Sequence, residues 1–180
     1  MKYLQKAALF ILAIALFSAA SAQTTGAFLK FDLDGKTISI NSDKLSCYNS
    51  FEPGEDGVKP NNQHVFYVST KQTYNMDIRI HTPAHTNPVA GKLPYVAYLT
   101  PESPLPAVNV TLTKVVGEDY NFFGSEEGNV GNFEITKVAA GWVEGKFELN
   151  MPRRIGIDDG EVMHITNGSF RFKIEKEMKD

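Results

Sequence analysis

Through most of residues 130–175, side chains alternate between apolar and polar with a period of two. No other feature limits the possible folds so strongly. An extended backbone turns successive side chains to opposite faces, so this period describes strands with one buried and one wet face. Phe133 and Ile135 stand against Glu134, and Val143, Phe147 and Leu149 stand against Glu144, Lys146 and Glu148. Antiparallel sheets divide their faces in this way.

Two dipeptides suggest where strands reverse. Asp-Gly and Asn-Gly reach positive φ at little cost, which a two-residue type I′ hairpin needs. A turn at Asp34-Gly35 sets Leu33 opposite Lys36, Phe31 opposite Ile38 and Leu29 opposite Ile40, so apolar partners coincide. A turn at Asn167-Gly168 passes the same test. It sets Thr166 opposite Ser169, Ile165 opposite Phe170 and Met163 opposite Phe172, with His164 and Arg171 together on the other face. A hairpin is predicted at each site.

Between these hairpins, residues 64–69 are β-rich. In residues 74–81, Tyr74, Met76, Ile78 and Ile80 alternate with Asn75, Asp77, Arg79 and His81. The two runs are predicted to pair through residues 70–73. Residues 95–99 read as a short strand, and Val108, Val110 and Leu112 mark another. Residues 52–62, 83–94, 101–106, 118–128 and 153–160 read as loops from their Pro, Gly and acidic content. Proline cannot donate to a sheet ladder, so the proline-containing breaks indicate edges or crossings between sheets. No segment of useful length after residue 22 has helical spacing. About ten short strands predict an antiparallel β-sandwich, with a calycin-like β-barrel as the alternative.

The first 22 residues read as a cleaved signal peptide. Lys2 and Lys6 precede an apolar run over residues 7–17, and Ala20-Ser21-Ala22 supplies small residues before a cut at Gln23. The run is too short to span a bilayer, which takes about 20 residues. Residues 23–180 then form one domain. Without Lys2 and Lys6 the chain has 16 basic and 21 acidic residues, a formal charge of −5. That balance, with no basic stripe, argues against nucleic acid as a partner. The single cysteine, Cys47, leaves no intramolecular disulfide and reads as a buried thiol.

Chemistry-bearing motifs are sparse. His81-Thr82-Pro83-Ala84-His85 has a metal-like spacing, but Pro83 keeps both rings off one helix face and zinc needs three or four ligands. Acidic residues at Asp32, Asp34, Glu126, Glu127, Asp158, Asp159 and Glu161 match turn geometry rather than a calcium loop. No Gly-x-Ser-x-Gly elbow or other catalytic signature occurs. No metal, cofactor or catalytic residue is therefore expected. Asn109-Val110-Thr111 and Asn167-Gly168-Ser169 match glycosylation sequons. Aromatic residues placed near loops or strand ends include Tyr48, Phe51, Tyr95 and Tyr98. Among them Tyr120, Phe122, Phe123 and Trp142 are the candidate ligand-binding residues, and Tyr120-Asn121-Phe122-Phe123 leads, because a loop that apolar must bury its rings or use them.

Gly131-Asn132-Phe133-Glu134-Ile135-Thr136, Val143-Glu144-Gly145-Lys146-Phe147 and residues 162–170 resemble the closing strands of small secreted and lipoprotein β-domains of Gram-negative bacteria. The opening Phe31-Asp32-Leu33-Asp34-Gly35-Lys36 resembles their first strand and turn. The resemblance implies an exported or envelope β-sandwich and carries over no site residues. The expectation is an exported, non-enzymatic protein, periplasmic, outer-envelope or secreted, that binds a protein or glycan. The alternatives are an apolar-ligand carrier and, last, a hydrolase.

Overall fold

The structure is a computed structural model and describes residues 26–41, 45–69, 74–128, 130–155 and 160–178. The predicted signal peptide, the predicted turn at residues 70–73 and residues 156–159 of the last predicted loop lie outside the described residues. Among the described residues the protein is all-β, as expected, and contains eleven strands and no helix. They are β1 (Phe28–Leu33), β2 (Lys36–Asn41), β3 (Leu45–Glu52), β4 (Asn61–Ser69), β5 (Tyr74–Pro83), β6 (Gly91–Leu93), β7 (Ala107–Val116), β8 (Asp119–Gly124), β9 (Gly131–Ala139), β10 (Trp142–Ile155) and β11 (Val162–Lys173).

All strand pairs are antiparallel and join in one sheet of order β2-β1-β11-β10-β8-β7-β5-β4-β3, with β9 and β6 added beside β10. The sheet curls into a half-barrel, a form common to sandwich and barrel architectures. The long strand β10 makes the curl. From Trp142 to Pro152 it pairs with β11, and Arg153 and Ile155 then pair with Phe123 and Phe122 of β8. The extra residue between them, Arg154, is a bulge, the usual device for bending a strand from one layer to the next. The concave side closes on an aromatic core. Phe66 of β4 stacks on Phe172 of β11 at 5.4 Å, and Phe133, Phe147 and Phe170 pack around one another. The proline-containing break at residues 83–94 holds a crossing, one of the two outcomes, edge or crossing, that its prolines suggested. β6 pairs with β9, and directly after Pro94 the chain joins the opposite layer, with Tyr95 bridging to Val108.

The first hairpin forms in the predicted register. Leu33 faces Lys36, Phe31 faces Ile38 and Leu29 faces Ile40, with Asp34 at φ 50° and Gly35 at φ 72°. The second predicted hairpin does not form. β11 runs straight through Asn167-Gly168 as an inner strand between β1 and β10. Thr166 to Ser169 takes one step more than Lys30 to Asp32 of β1, and Ile165 to Gly168 one step more than Phe147 to Leu149 of β10. Asn167, at φ 52°, is the extra residue of a bulge. A bulge with a left-handed residue and a type I′ turn make the same demand on the backbone, which is why Asn-Gly suits both. The bulge reverses the parity of the strand, so Met163 and Ile165 on one side and Phe170 and Phe172 on the other all enter the core. Met163 therefore meets Met151 rather than Phe172. His164 bonds to Asn150, while Arg171 pairs with Glu144.

Other boundaries move as well. Residues 119–124 form β8 instead of a loop, reached by a tight turn at Gly117-Glu118. The predicted strand over residues 95–99 is replaced by β6 within the predicted break, and β10 extends into the predicted loop at 153–160. The chain after β11 returns to the far edge. Met178 N–H donates to the Asn49 carbonyl at 2.9 Å, and the Glu177 carboxylate accepts from Asn62 Nδ2 at 2.7 Å. This tail covers part of the β3 edge that would otherwise offer free backbone groups.

Gly145 tests the packing. A Cβ there would press on the Phe170 ring and the Glu134 carbonyl oxygen. Gly145→Ala should cost about 1–3 kcal/mol, the range for overpacking a tight core. Urea unfolding reads the loss as a lower midpoint.

Candidate functional site

On the convex side of the β3-β4-β5-β7-β8 layer, the outward residues line up across the strands. Ser50, Gln63, His81 and Ala107 form one row. Tyr48, Val65, Arg79 and Asn109 form the next. At one end of this face two loops rise, residues 53–60 between β3 and β4 and residues 97–103 before β7. They bound a cavity of about 390 Å3 lined by Glu52, Glu55, Asn61, Gln63, Arg79, His81, Tyr98 and Asn109, among others. Its size falls within the range of small-ligand pockets.

Both loops are held by named bonds. Asn109 Nδ2 donates to the carbonyls of Val96 at 3.2 Å and Ala97 at 2.7 Å. Ser125, fully buried, donates from Oγ to the Val96 carbonyl at 2.7 Å and accepts the Val110 N–H at 2.9 Å. Residues 100–103 close a turn in which Ser103 Oγ accepts the Thr100 N–H at 2.8 Å. Opposite them, the Val58 N–H bonds to the Glu55 carbonyl. Gly57 of this loop lies against the Pro101 ring of the other. The walls are thus tied to the sheet and to each other before any ligand arrives, which lowers the ordering cost of binding.

The floor is polar and mostly buried. Asn61, His81 and Asn109 are each less than a tenth exposed. His81 Nδ1 lies 3.2 Å from Asn61 Oδ1. A carbonyl oxygen can only accept, so Nδ1 carries the proton and Nε2 keeps its lone pair. Burial, then the charge of Arg79, then His64 lower the His81 pKa to about 4, so the ring is neutral at pH 7. Arg79 is set by two bonds to Asp77 Oδ2, from Nε at 3.1 Å and Nη2 at 2.7 Å, and has N–H groups to spare. Tyr98 stands at the rim with 70% of its surface exposed. The cavity therefore offers hydrogen-bond acceptors (His81 Nε2, the Asn109 oxygen, the Glu52 carboxylate), a fixed guanidinium and an aromatic ring.

The four aromatic candidates are not brought together. Tyr120 and Phe122 are exposed on the convex face of β8, with ring centroids 6.5 Å apart. Phe123 points the other way and is 1% exposed in the core, with the Arg153 guanidinium 5.6 Å from its ring centre. This corrects its selection as a ligand-contacting residue, since the alternation of β8 turns it inward. Trp142 begins β10 in the other layer, half-buried, with Arg171 4.0 Å from its ring centre. Tyr95, read as an aromatic near a loop or strand end, is buried, and its hydroxyl donates to the Glu148 carbonyl at 2.9 Å. Asn109 is unsuited as a glycan acceptor because its amide is committed to the loop. Cys47 is half-buried, and burial raises its pKa.

His81 and His85 do not converge. His85 stacks on Phe51 at 4.6 Å and lies 3.2 Å from Glu177. Among the described residues no group of three or more His, Cys, Asp or Glu side chains is placed to hold a metal ion. Sequence reasoning missed Asn61, Gln63 and Asn109. The available signal was the run Asn61-Asn62-Gln63-His64, which opens β4 although its first two residues fall in the predicted loop.

Among the described residues no helix is long and apolar enough to cross a membrane. Comparison of the chain with protein-family models, curated proteins and solved structures finds no match.

The state of His81 sets a pH dependence. Its pKa falls from 6.5 in the unfolded chain to about 4 in the fold. Between those values the unfolded chain binds more protons, so stability is lost as pH falls from 6.5 to 4, by at most about 3 kcal/mol. His81→Gln should remove that part of the slope in urea titrations at pH 7 and pH 4.

Proposed function

We propose that this protein is an exported, non-enzymatic binding module of the bacterial envelope, and that the convex cavity takes a sugar unit of a glycan. One observation carries the reading. A row of fixed acceptors and amides, with a neutral imidazole among them, lies beneath an exposed tyrosine at the rim. Sugars present hydroxyl donors around their edge and C–H groups on their faces. The first suit His81 Nε2, Asn109 Oδ1 and Glu52, and the second suit the Tyr98 ring. The basic start and apolar run of residues 2–17 support export.

An apolar-ligand carrier would need its cavity inside the curl. There the space is occupied by Phe31, Phe66, Phe133, Phe147, Phe170 and Phe172, and the cavity lies on the outer face. This placement favours the binding reading.

Titration calorimetry of the purified protein against a panel of bacterial and plant oligosaccharides tests the proposal. The expected result is saturable binding that weakens about tenfold in Tyr98→Ala, in line with the worth of an aromatic contact. The bound sugar should be recovered uncleaved. Binding unchanged in both Tyr98→Ala and Gln63→Ala would remove the cavity as the site, and cleavage would overturn the non-enzymatic part.

A further inference from the structure

The cavity is one end of a longer strip. The outward residues of β7 after Asn109 are Thr111, Thr113 and Val115. On one side they face Asp77 and Asn75 of β5, and on the other Gly124, Phe122 and Tyr120 of β8. The rows therefore run from Arg79–Asn109 through Asp77–Thr111–Gly124 and Asn75–Thr113–Phe122 to Val115–Tyr120. The middle of the strip is low, built from Thr111 and Thr113. Its sides are higher. Tyr48 and Tyr67, each 37% exposed, stand on the β3 and β4 side, and the Arg154 side chain lies against Gly124 on the other.

Three properties point to the occupant. Asn75 Oδ1 and Asp77 Oδ1, both on this face, are buried with no hydrogen-bond partner among the described residues. Unsatisfied acceptors of this kind are rare and call for donors from elsewhere. The strip is also close to neutral, because Asp77 is paired with Arg79, and Arg154 lies 3.8 Å from Glu126. At its far end Tyr120 and Phe122, 57% and 40% exposed, present two rings inclined by 30° at 6.5 Å. Two exposed rings side by side offer a stacking surface for successive apolar faces.

We propose that the glycan is a linear, neutral chain that lies along β7, one unit in the cavity beside Tyr98 and its later units on Tyr120 and Phe122. This rests on the glycan reading of the cavity. From Asn109 to Val115 the strand rises roughly 20 Å, the span of about four sugar rings. Hydroxyls along the chain approach Asn75 and Asp77, and the low floor of Thr111 and Thr113 admits a single file of rings. A branch would meet Tyr67 or Arg154.

The test uses linear gluco- and manno-oligosaccharides of two to six units, titrated into the full protein and into Tyr120→Ala/Phe122→Ala. Both substituted residues are exposed, and far-UV circular dichroism confirms the fold. Affinity should rise at least tenfold between two and five units and then level off. The double variant should lose that rise while binding the disaccharide as the unaltered protein does. Disaccharide binding with no rise, or with a rise the double variant keeps, overturns the extended strip and leaves the cavity reading intact. No binding at any length overturns the cavity reading itself. Neutral phosphatidylcholine vesicles are the remaining arm. Vesicle binding lost in the double variant would make the aromatic pair a membrane contact and overturn the proposal.

Discussion

The fold depends on keeping the large apolar side chains of the core on the concave face of one curled sheet, although an extended chain changes face at each residue. A regular strand of this length cannot follow the curl and stay in register with both neighbours. The protein meets the constraint with extra residues. Asn167 in β11 lets Ile165 and Phe170, five positions apart, enter the same core. A second bulge in β9 falls where Glu144 and Gly145 face Lys137 and Ile135, and it keeps Val138 on the same side as Ile135. Arg154 in β10 accompanies the passage of that strand between layers. Each extra residue costs ladder bonds locally, and each recovers the burial of several apolar side chains, at roughly 1.5–3 kcal/mol for each one fully buried.

The same alternation builds the convex face. Where Ile78, Ile80, Val108 and Val110 fill the core, the residues between them, Arg79, His81 and Asn109, must point out. Two loops then cover one end of that face, and polar groups that would have been wet become a fixed floor. The low pKa of His81 follows from the same covering, since burial is its first cause. The cavity is thus a consequence of where the loops sit on an ordinary two-faced sheet, and it requires no departure from the core.

Much of the fold was legible in the residues, because period-two alternation is a local signal. The pairings of β1 with β2 and of β4 with β5 follow from it. Asn167-Gly168 misled because a turn and a bulge demand the same positive φ there. The choice between them was made by β1 and β10 on either side, which no local pattern reveals. Phe123 and Tyr95 were misplaced for a similar reason. Each lies in a segment too short or too rich in proline to show its period. The cavity was the least legible part, since Gln63, His81 and Asn109 are far apart in sequence and meet only through strand register. Tyr98 and His81 drew notice for what they are, an exposed-looking aromatic and a histidine near a possible ligand, and not for their neighbours.

Deleting Asn167 tests the parity constraint most directly. Without the bulge, either Met163 and Ile165 or Phe170 and Phe172 must turn outward, a loss of about 3–6 kcal/mol against the roughly 5–15 kcal/mol of a whole domain. Equilibrium urea unfolding followed by tryptophan fluorescence at Trp142 should then show a stability lowered by at least about 3 kcal/mol, or no cooperative transition. A deletion variant that unfolds cooperatively within about 1 kcal/mol of the unaltered protein, well inside the cost of exposing even one such side chain, would contradict the account.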